Sequence, residues 1–450
     1  MYYKIMKNEK GSSLLFVLIL IIIITIFFSI FFMIFTLQFK TVKKNIFQTQ
    51  ALYNAESAIY CIIDSLRENP KLELEKFEYK LPWDETSIIN VKKYGYYYKV
   101  VSQGIKKNYT HTLQVLLAEA PDSLANYALV NTNNELPLTF TGNIEIDGNV
   151  LLGKSGYQIK TFKGSKFTGA ISGEIFEKDD INNSVYDLQI PNTIEELARK
   201  LKNLPDEFLY FDNIDYFSNS KLEQSMIYYS DNDIMLTSKY SNILKEGVTI
   251  ISKKRIILSD SLSTKASCNF IAKENIILKD EISLKNCIFY SNKYIEIQDS
   301  VNCAGQFFAK SKITVSNNAD LNFPSLLIVF GEEIKGIRSG EIVIQDSVSF
   351  SGTIFYPATT SLGVIDNGLI TIDKNAKISG MIYSSNRISF NGILKGSLIS
   401  NNQYFYEAPV HYINWLRSGN ITARTNDIFF RPSNFQKRQQ LNIISYERID

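Results

Sequence analysis

From Gly11 to Phe39 the chain carries no charged residue, and from Leu14 onward it is built mostly of Leu, Ile and Phe. An apolar helix needs roughly 20 residues to cross a bilayer, and this run exceeds that length. It is too long and too uniform for the apolar core of an ordinary cleaved secretory signal. No other window in the chain approaches it. The expectation is a single-span membrane anchor, with everything after Lys40 carried on one side.

Helical character does not end at the lipid boundary. Lys40, Lys43 and Lys44 mark the interface, and Val42, Ile46, Tyr53, Ile59, Ile62, Ile63 and Leu66 continue an imperfect apolar stripe. The first hard stop is Asn69-Pro70, because the residue before proline avoids the helical region and proline has no donor. One helix from about Leu14 to Glu68 is on the order of 80 Å long, half in lipid and half projecting. Charge does not orient it: Lys4, Lys7 and Lys10 against Glu9 nearly balance Lys40, Lys43 and Lys44, leaning slightly against an outside location for the bulk.

Several motifs in this first third resemble a known family. Glu9-Lys10-Gly11 followed by Ser12-Ser13-Leu14-Leu15 resembles a type III (prepilin) leader opening a long apolar helix. Gln50-Ala51-Leu52-Tyr53-Asn54-Ala55-Glu56-Ser57-Ala58 is similar to the Gln-Ala-Phe-x-x-Ala-Glu-Ala segment of PilX-type pilus assembly proteins. Tyr97-Tyr98-Lys99-Val100-Val101-Ser102-Gln103-Gly104 is similar to that family's Tyr-x-Ile-x-Ser-x-Gly strand. The resemblance implies cleavage between Gly11 and Ser12, methylation of the new N-terminus, and association with other pilin-like subunits through the helix. Major pilins carry a glutamate at the fifth mature position; Phe16 stands there, as in minor, PilX-type or some pseudopilin subunits. A plain signal anchor is the alternative.

The 450 residues suffice for a tether plus one or two domains. A net charge of +2 without a basic patch excludes nucleic acid as a partner. Cys61, Cys268, Cys287 and Cys303 show neither CxxC pairing nor zinc spacing, and two histidines are too few for a histidine-rich site. No metal and no cofactor is expected.

After Pro70, Ser87 to Val91, Tyr96 to Ser102 and Tyr109 to Leu117 read as strands with turns at Gly95 and Gly104, a small sheet for the projecting helix to pack on. From Leu138 repetition takes over. A seven-residue pattern recurs as Ile250–Ile256, Phe270–Ile276, Phe289–Ile295, Phe307–Ile313, Ile328–Ile334, Ile382–Ile388 and Leu398–Tyr404, about 18 to 21 residues apart in its regular part. Inside it Phe289, Ile295, Val301, Phe307, Ile313 and Ala319 are spaced by six. Three sixes make one turn of a three-sided parallel β-helix, and pairs such as Ile276/Leu278 and Ile295/Ile297 suit a strand facing a core. The left-handed hexapeptide signature is poor, so a right-handed coil is favoured. By architecture more than by residue, the stack resembles bactofilin-like and other bacterial surface β-helices.

Asp260, Asp280, Asp299, Asn317 and Asp346 each follow a strand anchor by four residues and should form a row along one corner. The functional reading is a cation- or sugar-binding ladder. The structural one, favoured here, is that Asp and Asn make the turn by bonding their own backbone. Cys268, Cys287 and Cys303, spaced by almost one turn, allow a disulfide between rungs, but a buried reduced stack is favoured. Tyr94, Tyr96, Tyr97 and Tyr98 read as a sticky surface half buried by strand alternation.

The expected fold is mainly β. Residues 1–11 are a leader, 12–69 the transmembrane and projecting helix, and 70–120 a small pilin-like β segment. Residues 121–404 are the parallel β-helix, interrupted at 179–244 by a capped helix from Thr193, and 405–450 a terminal cap. The expected function is a non-enzymatic minor pilin or pseudopilin at the cell membrane. Its extracytoplasmic head serves adhesion, filament priming or tip decoration, with a surface glycan or protein as ligand. The alternatives are a tethered β-helix enzyme acting on polysaccharide, or an envelope scaffold polymerising through its stack.

Overall fold

The computed structural model describes residues 9–81, 85–164, 166–179, 181, 192–203, 208–211, 226–279, 281–358, 363–423, 430–432 and 440–449. One helix, α1 (Glu9–Glu68), opens it. Side chains from Leu14 to Phe39 stand exposed around the whole circumference, and the helix is long and apolar enough to cross a membrane. Hydroxyls in and beside this stretch bond back along the helix: Thr25 donates to the Ile21 carbonyl at 2.8 Å, Ser29 to Thr25 at 2.9 Å, Thr36 to Met33 at 2.9 Å and Thr41 to Leu37 at 2.9 Å. An apolar surrounding offers a hydroxyl no partner, and this back-bonding supplies one from the helix itself. The helix stops one residue before Asn69-Pro70, as its sequence dictates.

Four antiparallel strands follow: β1 (Leu74–Leu81), β2 (Glu85–Tyr94), β3 (Tyr97–Lys106) and β4 (Tyr109–Glu119). The C-terminal strand Leu441–Arg448 joins this sheet beside β4, rather than capping the repeats as expected. One face receives the second half of α1: Ala55, Ala58, Ile59, Ile62, Ile63 and Leu66 pack on Ile89, Val91, Tyr98, Val100, Val115 and Leu117. The apolar stripe is shorter than its sequence suggested, since Val42, Ile46 and Tyr53 remain exposed.

The rest is dominated by a 26-stranded, largely parallel sheet, and strands make up 52% of the protein. Its parallel pairings fall into three ladders. The first runs Tyr228, Ile250, Phe270, Phe289, Phe307, Leu327, Ile354, Ile382, Leu398. The second runs Ile234, Ile256, Ile276, Ile295, Ile313, Ile342, Ile370, Ile388. The third runs Leu284, Cys303, Leu321, Phe350, Ile378, Leu394. These side chains are all buried in one continuous core. Phe270, Phe289 and Phe307 stack with centroids 5.0 and 4.7 Å apart. Where the third ladder turns into the first, Gly352 and Gly380 pair; a Cβ on Gly380 (φ +144°) would lie 1.7 Å from the Gly352 carbonyl oxygen.

The order of rungs is not the order of sequence. Leu129 pairs with Leu398, Val150 with Leu129, and Ile175 with Val150, so the first rungs of the chain stack beyond its last ones. The chain resumes at the opposite end, where Leu209 pairs with Tyr228. Ile227–Ser230 and Ile234–Leu236, expected within the interruption, therefore belong to the stack, as does Trp415–Thr422, expected in the tail. The repeat alignment also slips at two places. Leu327, not Ile328, faces the interior, and Ile342 takes the place given to Ile334, which is exposed. The intervening residues form a side sheet of Glu332–Ile334, Ile337–Ser339 and Ile365–Asp366, held by the buried Arg338 guanidinium on Asp366 at 3.0 Å. At the end of the second ladder Gln403, rather than Tyr404, pairs with Ile388.

The outer face of the first ladder is buried too. Ile251, Ile271, Tyr290, Phe308 and Ile328 lie under Tyr96, Tyr97, Leu116 and the apolar side of α2 (Asn192–Lys202), a helix expected from Thr193 to Asn203. The order of layers is helix, antiparallel sheet, first ladder, stack interior.

Candidate functional site

The two motifs behind the pilin-like resemblance meet in space. Ala51, Ala55 and Ala58 are fully buried against β3. A Cβ on Gly104 would lie 2.0 Å from the Ala51 carbonyl oxygen, so only glycine admits this approach. Around it Ser102 donates to the Ala55 carbonyl at 3.0 Å, Ser87 to the Asn54 carbonyl at 3.1 Å, and the Asn54 amide to the Ile105 carbonyl at 3.0 Å. Small helix residues thus bring backbone to backbone, and short polar side chains satisfy it. Tyr446 of the C-terminal strand donates to Glu56 at 2.8 Å. Gly11 and Ser12 fall in the opening turns of α1, and Phe16 is exposed.

The described members of the acidic row lie at corners of the stack. Asp280 lies outside the described residues. Ser261, Ser300, Asn318 and Ser347, each just after a member of the row, adopt left-handed φ of 53°, 62°, 58° and 60°. Asp260 itself is left-handed at 55°. Such corners favour Asp and Asn because their short side chains bond nearby backbone. Asp346 shows the bond made to the next rung: its carboxylate accepts from the Asn375 backbone at 3.0 Å and amide at 3.2 Å, which lowers its pKa. Register then puts Lys374 opposite Asp346, ending the acidic run. No group of three or more metal-ligating side chains occurs among the described residues.

Cys268, Cys287 and Cys303 are buried and unpaired. Cys303 pairs across rungs with Leu284 and Cys287 with Gly305, so that pair is out of register for a bridge. Cys268 does neighbour Cys287; that contact and burial push its thiol pKa up, and burial does the same for Cys303. Thiols so raised are packing groups. Tyr94, Tyr96, Tyr97 and Tyr98 are all buried, not half of them, because both faces of their sheet are covered. Their turn plugs into the stack: Tyr94 donates to the Asn286 carbonyl, and the Gln306 side chain bonds Tyr96 N at 2.8 Å and Tyr94 O at 2.9 Å. Beside it Lys99, nearly fully buried, is ion-paired to Glu246 and donates to Ser267 at 3.0 Å; burial lowers its pKa against the pull of Glu246.

One feature escaped sequence reasoning. The hairpin of Tyr404–Glu407 with Val410–Ile413 rises from the last rungs. Beneath it runs a groove of about 670 Å³ lined by Thr371, Lys374, Ser389, Tyr404, Tyr406, His411 and Arg417. A second, of about 850 Å³, adjoins it and adds Asn143, Glu145, Asp346, Asp373, Asn375 and Asn420. Lys374, Asn391 and Ser418 line both. The one sequence signal was the loss of period beyond Tyr404, with aromatic residues in its place.

No protein-family model matches the chain, and no curated protein matches it. Among solved structures, the competence-associated pilin ComZ from Thermus thermophilus aligns over 90% of this chain and 97% of its own at 10% identity. The TM-score of that alignment is 0.20, too low to establish a shared fold.

Proposed function

We propose that the protein is a non-enzymatic, pilin-like membrane subunit, a minor pilin or pseudopilin, cut between Gly11 and Ser12, with its bulk outside the cytoplasm. In this reading the apolar half of α1 anchors the chain and offers a surface to other pilin-like subunits. The PilX-like helix and sheet form a neck. The three ladders are the faces of a right-handed, three-sided β-helix of bactofilin-like kind, serving adhesion, filament priming or tip decoration.

The observation that carries the reading is the seating of Ala51 and Ala55 on Ser102 and Gly104. Two motifs far apart in sequence, each resembling a segment of one family, make a single interface. Phe16 in place of a glutamate supports a minor subunit over a bulk one. The turn role of the described aspartates supports a head without polysaccharide-cleaving chemistry.

Mass spectrometry of the native N-terminus tests it. Methylated Ser12 is the expected result, and an intact Met1 overturns the pilin-like route. Protease added to intact cells should remove the stack while a cytosolic control survives; a protected stack overturns the outside placement.

A further inference from the structure

The two adjoining grooves form one trough along the last rungs. Its polar lobe crosses five successive rungs, represented by Asp346, Asp373, Asn391, Ser418 and Asn143. At about 4.8 Å per rung the lobe is on the order of 20 Å long. Its side chains bond laterally from rung to rung: Ser418 donates to Asn391 at 2.6 Å, Asn420 to Glu145 at 3.2 Å, and Asn375 to Asp346 at 3.2 Å. Each keeps further lone pairs or protons free to face outward. The outward positions of the second ladder change along its length, from Ile257 and Ile277 at one end to Thr371 and Ser389 under the trough.

The other lobe has an aromatic wall. Tyr406 is 52% exposed, yet its ring is braced by His411 at 4.7 Å between centroids. His411 is fixed in turn by the Tyr404 hydroxyl at 2.6 Å, and the Arg387 guanidinium lies 5.2 Å over the Tyr404 ring. The opposite face of the hairpin is pinned by Phe162, which meets Phe405 and Tyr412 edge-on, both at 5.2 Å. A rigid, half-exposed ring costs little conformational entropy when a flat ligand covers it.

We propose that this trough binds an uncharged oligosaccharide of several residues, with Tyr406 stacking on one sugar ring and the amide, hydroxyl and carboxylate groups of the polar lobe bonding hydroxyls along the chain. A rung spacing close to the length of a pyranose lets one set of donors and acceptors serve each sugar. Carboxylates of Glu145, Asp346 and Asp373 face only Lys374 as a free cation among the described residues of the lining, since Arg417 is ion-paired to Glu407 at 3.3 Å, so the trough disfavours a polyanion. The inference deepens the adhesive-head reading and rests on it only for where the ligand is met.

The test is isothermal titration of the full chain, purified in a detergent without a sugar headgroup, with chitopentaose, cellopentaose and mannopentaose. A polygalacturonate pentamer serves as the charged control. At least one neutral pentaose should bind, and its disaccharide at least tenfold more weakly. Tyr406→Ala should weaken binding tenfold or more with unchanged thermal midpoint. Thr371→Arg, on a rigid rung away from the hairpin, should abolish it. Absence of binding by all three neutral pentaoses overturns the inference, as does binding that survives both substitutions or is confined to the charged control. None of these outcomes bears on the processing of Ser12, so failure of the site and failure of the anchor reading are told apart.

Discussion

The two halves of α1 are one uninterrupted helix in two solvents. Leu18 is 56% exposed and Leu66 1% exposed, although both are leucines on the same rod. In the first half every side chain is apolar enough that no face is distinguished, and the hydroxyls turn inward to the backbone. In the second half a single face of Ala, Ile and Leu is matched to a sheet, and the other face carries Tyr53 and Tyr60 into the open. What differs is the specificity of partner: the first half needs only an apolar medium, the second needs one particular surface.

The largest expected effect contrasts the two leucines. Leu66→Ala should cost about 2–5 kcal/mol of head stability, the range for truncating a buried leucine. Leu18→Ala, where no protein neighbour is lost, should change it by less than about 0.5 kcal/mol. Denaturant unfolding of the full chain in micelles measures both, and equal losses would break the distinction. Next is the response to charge. Ile23→Lys at the centre of the apolar run should oppose membrane insertion by about 3 kcal/mol, whereas Tyr53→Lys on the exposed side of the docked half should leave insertion and stability within about 0.5 kcal/mol. Alkali extraction of membranes reports the first and thermal unfolding the second.

The smallest effect is on pH dependence. Burial and the bond to Glu56 raise the Tyr446 pKa above its ordinary 10.0. Its contribution is fully present below pH 10.0 and lost as pH climbs through the raised folded value. Tyr446→Phe should flatten that alkaline loss in the docked half. If wild type and variant lose stability in parallel above pH 10, the tether to Glu56 contributes nothing.

Whatever depends on neighbours in sequence was legible. The end of α1 before Asn69-Pro70, a helix over Asn192–Lys202, and the inward anchors Phe289, Ile295, Phe307 and Ile313 follow from backbone chemistry and period. The corner positions of Asp260, Asp299 and Asp346 follow from the same period, while the bond of Asp346 to Asn375 on the next rung does not. Pairings between distant segments were not. Nothing in Leu129 or Leu398 specifies that they adjoin, because any rung offers the same apolar face and ladder edge to any other. Ile328 was misread as an anchor because the outer face of its ladder is buried as well, which erases the alternation that separates inside from outside. The trough went unread because its members come from five rungs and a hairpin, each unremarkable alone.

The placement of Leu441–Arg448 beside β4 has a mechanical consequence. The stacked polypeptide leaves the antiparallel sheet from β4 and re-enters it through the adjacent strand, so the stack is a loop stapled where it meets that sheet. A load pulling on the distal surface is divided between two strands running side by side. Those strands are joined by a backbone ladder from Leu441 with Glu119 to Arg448 with Leu113, so the load meets that whole ladder.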